Sequence, residues 1–371
     1  MTILENFVVI ASNNRYGYID TLRGISAILV IVSHMSERIR EHYLDSVWVF
    51  EQALMWLLSE IFDTGRIGVV IFFCISGFLI PSSLSRSKFR PMLTFIITRF
   101  FRLYPVYWAS IPIALVVIQL PNGRFFSHGD IIANFTMLQQ FIGRPNIQGL
   151  YWTLQIELIF YFVCVLMFIL GQLDKPARVL QAAVFFLVAS ILMSAARYLT
   201  DSKLPVALPL SLAIMFWGYL WRMYLVDKNE EAKRFSIAFG ISYIILLIPI
   251  CLMSYNRDYG FGETWYKYLV SYTVGLFIFC FFTNFRKINW IFGEYLGRIS
   301  YSMYLFGTVS IVIELNLLKY LEIPVVLHMA IAVWLCIVIS SVTFAVIEDP
   351  SIKLGKRILT FARGNSAVKV G

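Results

Sequence analysis

Between residues 18 and 347 the sequence returns again and again to apolar runs close to twenty residues long. A run of that length with few charges matches the thickness of a bilayer core and reads as a membrane-crossing helix. The runs are continuous rather than alternating, which excludes an outer-membrane barrel. Composition agrees, because 59% hydrophobic and only 14% charged residues leave too much apolar surface for a water-soluble domain. Spans are expected at 18–36, 67–84, 100–120, 151–170, 179–198, 204–221, 235–253, 267–283, 299–318 and 326–347. The expected fold is therefore all-α, a polytopic bundle of about ten transmembrane helices in one domain over residues 1–371. Residues 363–371 read as a loose tail.

The region 45–64 has apolar residues at helical spacing interrupted by Glu51, Gln52, Glu60 and Asp63, so it is expected to lie along the membrane surface. The first seventeen residues lack the charge-then-apolar order of a cleavable signal, and the first apolar run is expected to be retained as a span. With the N-terminus in the cytoplasm, inner segments carry 20 Lys and Arg and outer segments 10. That asymmetry favours both termini inside. It also accounts for the net charge of +9 without nucleic acid. The five cysteines lie scattered in apolar runs, with no disulfide or zinc spacing, and no metal site is expected.

Chemistry must then come from ionisable groups inside the spans, which are costly there and mark function by default. In YIDTLRGISAILVIVSHMSERIR (Tyr18–Arg40), Arg23 and His34 lie eleven residues apart, about three helical turns, and share one face with Gly24, Ala27 and Ile31. Depth from the span ends sorts the remaining groups. An outer cluster holds His34, Arg66 and Glu157, a set able to orient a base, remove a proton and stabilise an anion. An inner cluster holds Asp20, Arg23, Arg99, Arg102 and Glu348, and guanidinium groups there suit phosphate. Plainer readings stand beside these. Asp20 and Arg23 can cap a helix, Arg99 and Arg102 can be topology anchors, Arg66 can reach lipid phosphates, and Glu157 can be a satisfied structural carboxylate. Ser33 and Ser76 have no nucleophile-elbow motif around them. His42, His128 and His328 fall in loops or at span ends and read as structural.

Five stretches taken in order resemble the acyltransferase 3 family of multi-spanning bacterial enzymes that acylate surface glycans. They are the Arg23-x10-His34 span, RIGVVIFFCISGFLI (Arg66–Ile80), RFFRLYPVYW (Arg99–Trp108), YWTLQIE (Tyr151–Glu157) and the closing IEDP (Ile347–Pro350). Thr153 stands where the family usually has serine, and Val70 where it often has an acid.

The resemblance implies O-acyl transfer, with acetyl or another short acyl group passing from cytoplasmic acetyl-CoA to a sugar hydroxyl of an exopolysaccharide, O-antigen or lipid-linked glycan at the bacterial cytoplasmic membrane. It implies His34 as the main catalytic residue and Arg99 and Arg102 near the donor. On this reading Glu157 orients His34 or the sugar, and Arg66 stabilises oxyanion charge. Arg23 and Asp20 line the donor path, with the donor's arm along the small-residue face of the first span. Direct transfer and an acyl-histidine route both remain open. The competing reading is a proton-coupled transporter or exporter of a lipid-linked glycan, against which stands the lack of an inverted repeat or paired broken helices in the sequence.

Overall fold

The computed structural model describes residues 16–43, 48–86, 89–258, 263–318, 321 and 323–368, and among them there is helix and loop but no strand. Helix α1 is Gly17–Tyr43. Helix α2 (Val49–Trp56) runs on into a π-helical turn at Leu57–Ile61. Helices α3 (Thr64–Arg86) and α4 (Pro91–Ala114) follow, α4 closing in a second π turn at Leu115–Gln119. Short α5 is His128–Phe135, α6 Tyr151–Ile169, α7 Pro176–Thr200, α8 Ala207–Leu225 and α9 Glu230–Ser254. The chain ends with α10 (Trp265–Cys280), α11 (Ile291–Leu318), α12 (Val325–Thr343) and α13 (Asp349–Val368); a further π turn at Phe344–Glu348 joins the last two.

Nine helical segments among the described residues are long and apolar enough to cross a membrane. The expected span at 204–221 is α8, which falls outside that set because Trp217, Tyr219, Trp221 and Arg222 lower its hydropathy. It still belongs to the bundle, since every residue from Pro209 to Met223 is buried. Residues 363–368, expected as part of a loose tail, continue α13, and residues 369–371 lie outside the described residues.

Hydrophobic burial gives no preference between one helix neighbour and another in a lipid solvent, so close backbone contact decides which helices pair. Glycine permits it at two seams. A methyl group on Gly77 of α3 meets the backbone of Met215 in α8, and one on Gly218 of α8 sits 2.6 Å from the carbonyl oxygen of Cys74. At the second seam a methyl on Gly24 of α1 sits 2.6 Å from Leu296 Cβ, and one on Gly297 of α11 meets the backbone of Asp20. Ala27 and Ile31 join the same contact, buried with Leu296, Ile299 and Met303. The Gly24–Ala27–Ile31 stripe is therefore a packing surface for α11 and not the wall of a channel.

The surface segment expected at 45–64 is oriented inside out. Trp48, Val49 and Phe50 point outward, whereas its acids turn into the protein. Glu51 Oε1 accepts the backbone N–H of Val325 (2.8 Å), and Glu60 pairs with Arg40 and with Lys267 (2.5 Å). These acids tether α2 to α1, α10 and the start of α12. Residues 44–47 lie outside the description.

Candidate active site

Three cavities adjoin one another in the bundle, the first two along α1, α3 and α6 and the third beside the end of α4. The first, about 280 Å³, brings Arg23, Arg99, Arg102 and Glu157 together beneath Ser76, Tyr301 and Tyr304. The second, about 470 Å³, holds His34, Glu37, Asp63 and Arg66. The third, about 480 Å³, is bordered by Arg38, Gln119, Arg124 and Gln148. Val69 and Tyr304 line both the first and the second. Arg38, Arg124, Gly149 and Thr308 line both the second and the third.

Helix α1 supplies the stripe that connects the first two. Arg23, Val30, His34 and Glu37 are spaced seven, four and three residues apart, the repeat of one helical face. Arg23 lies 3.8 Å from Asp20, which holds the guanidinium at the N-terminal end of the stripe. Arg99 Nη2 donates to Ser83 Oγ (3.2 Å), and its guanidinium lies over the rings of Phe95 (5.5 Å) and Tyr161 (5.6 Å). Glu157 Oε1 accepts the hydroxyl of Tyr161 (2.5 Å). Glu348, in the π turn before α13, is fully buried and accepts from Ser302 Oγ (2.7 Å), within electrostatic reach of Arg102 and Arg23. Three guanidinium groups thus face one carboxylate in the first cavity, and Arg99 Nε is buried with no hydrogen-bond partner. The donor set fits the phosphate groups of an anionic substrate.

In the second cavity His34 Nδ1 lies 3.0 Å from Glu37 Oε2, one turn further along α1. An ionised carboxylate only accepts, so Nδ1 carries the hydrogen and Nε2 is left as a base. The ring is reachable, with 42% of the side chain exposed. Arg66 is fixed from two sides. Its Nη1 lies 2.9 Å from Asp63 Oδ2, and its guanidinium stacks 3.6 Å over the centre of the Tyr268 ring. Asp63 caps α3 by accepting the backbone N–H of Arg66 (2.9 Å) from a left-handed conformation (φ 37°), a strained backbone held by that hydrogen bond and the ion pair. Tyr268 stacks in turn on Tyr255, with ring centres 3.5 Å apart, and donates its hydroxyl to Glu263 (2.6 Å).

Glu157 does not join His34 and Arg66. Trp152 on the same helix lines the second cavity and Glu157 the first. Five residues turn a helix by about 140° beyond a full circle and advance it roughly 7.5 Å, so depth from the span end misassigned the carboxylate. The imidazole's partner is Glu37, which sequence reasoning passed over because it ended the first span at residue 36; the His-x-x-Glu spacing is its signal. Asp63, Tyr268 and Tyr304 were also missed. Tyr304 is pinned by Thr153 Oγ1 (2.7 Å) and the carbonyl of Leu150 (3.2 Å), which gives Thr153 a visible task in its motif. Val70 points away from the cavities. It is fully buried, 2.8 Å from where a methyl on Gly275 of α10 would sit. His328 pairs with buried Glu314 (2.6 Å) away from the cavities, and the side chain of His42 lies outside the described residues. No cluster of metal-ligating side chains occurs among the described residues.

The sequence model of the acyltransferase 3 family, an acyltransferase domain, matches residues 16–347. An acetyltransferase by name, ORF330 of Acidianus two-tailed virus, is 24% identical over 82% of this chain and 89% of its own. Nodulation protein 10 of Rhizobium leguminosarum bv. viciae is 27% identical over 58% of this chain and 62% of its own. The O-acetyl transferase of Shigella phage Sf6 is 24% identical over 68% and 74%. No solved structure gives a significant match. With nearly all of the bundle inside the matched region, the chain belongs to the acyltransferase 3 family and is a multi-pass membrane enzyme of acyl transfer.

Proposed function

We propose that the chain transfers an acetyl group, or another short acyl group, from acyl-CoA to a sugar hydroxyl of a bacterial surface glycan across the cytoplasmic membrane. One observation carries the reading: a cationic cavity adjoins a cavity that holds a carboxylate-oriented imidazole, and among the described residues Val69 and Tyr304 line both. The excess of Lys and Arg on the side of Arg23, Arg99 and Arg102 supports donor entry from the cytoplasm. The names of two of the relatives support an acetyl group.

In this mechanism Arg23, Arg99 and Arg102 hold the phosphate end of the donor. A cavity of about 280 Å³ takes only part of such a molecule. The thioester is presented at the Val69–Tyr304 wall. His34 Nε2 removes the proton of the acceptor hydroxyl as its oxygen attacks the thioester carbon. Glu37 stabilises the imidazolium that forms. Arg66 lies in the same cavity to balance oxyanion charge. Collapse breaks the carbon–sulfur bond, and the imidazolium returns its proton to the departing thiolate. The shared border of the first and second cavities favours this direct route, because a thioester held in the first and a hydroxyl in the second can meet there.

The test is mass spectrometry of surface glycans from cells with the wild-type gene, a deletion and His34→Ala at matched protein levels. An acetyl-sized mass increment lost in both mutants supports the reading. Unchanged glycans in the deletion refute it.

A further inference from the structure

The third cavity has no part in the chemistry described so far. It borders the His34 cavity on the side away from the arginine cluster, sharing Arg38, Arg124, Gly149 and Thr308 with it. Among the described residues eight line it, of which six are polar and none is acidic. Gln119 and Gln148 are more than nine-tenths buried. Gln119 donates to the carbonyl of Ile147 (2.5 Å) and Gln148 to the hydroxyl of Tyr151 (3.1 Å), while each amide oxygen is without a hydrogen-bond partner. Buried polar atoms left unmatched in a polar cavity wall are unusual unless something else uses them. Gln119 also ends the π-helical turn that closes α4, a device that tends to appear at functional sites. At the shared border Gly149 leaves open space, since a methyl group added there meets nothing within 4 Å.

The chemistry of this wall is that of a carbohydrate subsite with a charge preference. Amides and a threonine hydroxyl match sugar hydroxyls. Two guanidinium groups, on the face of the protein that is otherwise poor in Lys and Arg, match an anionic group. We infer that the third cavity binds the acceptor glycan, and that Arg38 and Arg124 select an acceptor with a carboxylate or phosphate close to the acylated hydroxyl. Carboxylate and phosphate each offer a pair of anionic oxygens that a guanidinium can engage bidentately, so both sources share one recognition chemistry: an acidic sugar within the glycan, or the phosphate that links a sugar to its lipid carrier. The inference rests on the acyl-transfer reading above.

The experiment locates the acyl group by tandem mass spectrometry of glycan and of lipid-linked intermediates from wild-type cells, then repeats the measurement for Arg124→Gln and Gly149→Leu. The expected result is an acyl group on an acidic sugar, on its immediate neighbour, or on the sugar joined to the carrier phosphate; which of these appears separates the two sources. Arg124→Gln is expected to lower occupancy at that hydroxyl about tenfold or more, the size of a charge-assisted contact. Gly149→Leu fills the open border and is expected to block transfer while the purified protein keeps its wild-type binding of CoA. An acyl group on a neutral sugar with no anionic neighbour overturns the inference, and so does wild-type occupancy in both variants. Loss of CoA binding in Gly149→Leu moves the third cavity into the donor site and overturns it as well. Absence of any acyl increment relative to the deletion defeats the acyl-transfer reading instead.

Discussion

Glu37 Oε2 lies 3.0 Å from Nδ1 of His34, three residues earlier on the same helix. The contact fixes the imidazole tautomer from within one helical turn, so the base and its orienting group move as a unit. Replacing Glu37 by glutamine removes the preference, because the amide can accept from Nδ1–H or donate to a bare Nδ1, and the negative charge that steadies the imidazolium is lost. Glu37→Gln is expected to lower kcat by about 10²–10⁴-fold at unchanged protein abundance. Acyl transfer in membrane vesicles measures it, and a near-wild-type rate removes Glu37 from the mechanism.

Glu157 faces guanidinium groups and not the imidazole. Neutralising it removes a competitor for those cations. Glu157→Gln is expected to lower the KM for acyl-CoA by a few-fold, the size of one charge contact screened to a water-like dielectric, about 1 kcal/mol, and to leave the pH profile of kcat unchanged. A displaced pH profile returns Glu157 to the base.

Arg102→Ala is expected to raise the KM for acyl-CoA by about 10–100-fold, with kcat less affected, because a charged hydrogen bond is lost from binding. Arg102→Lys recovers part of the loss. An unchanged KM reduces Arg102 to a topology anchor.

Tyr268 holds Arg66 by ring stacking at 3.6 Å, and its hydroxyl serves Glu263 instead. Tyr268→Phe is therefore expected to keep most activity. Tyr268→Ala is expected to lose about 2 kcal/mol of positioning, roughly 30-fold in rate. Equal activity of the two variants rules out the stack as a positioning device.

Gly297→Ala tests the α1–α11 seam. The added methyl meets the backbone of Asp20, which cannot rotate away. An overpacking cost of about 1–3 kcal/mol is expected, read as a lower melting temperature of the purified protein and as reduced yield. Wild-type stability overturns the seam as a packing constraint.

Hydropathy and motif order in the sequence determined the helical membrane bundle, the family and the residues of the arginine cluster. These follow from local pattern: a bilayer demands long apolar helices, and ionisable side chains inside them are too costly to be incidental. Even the placing of His34 and Arg66 in one cavity followed from depth along their spans. Rotation about a helix axis and the choice of helix neighbours were decided only by the tertiary structure. Glu157 and Trp152 sit within two turns of each other yet serve different cavities, and Gly24, Ala27 and Ile31 share a stripe with Arg23 in sequence but pack on α11. In lipid every apolar face is equally content to meet a neighbouring helix or an acyl chain. Close contact at Gly77, Gly218 and Gly297 therefore set which faces closed and which opened into cavities, a three-dimensional result that no single span encodes.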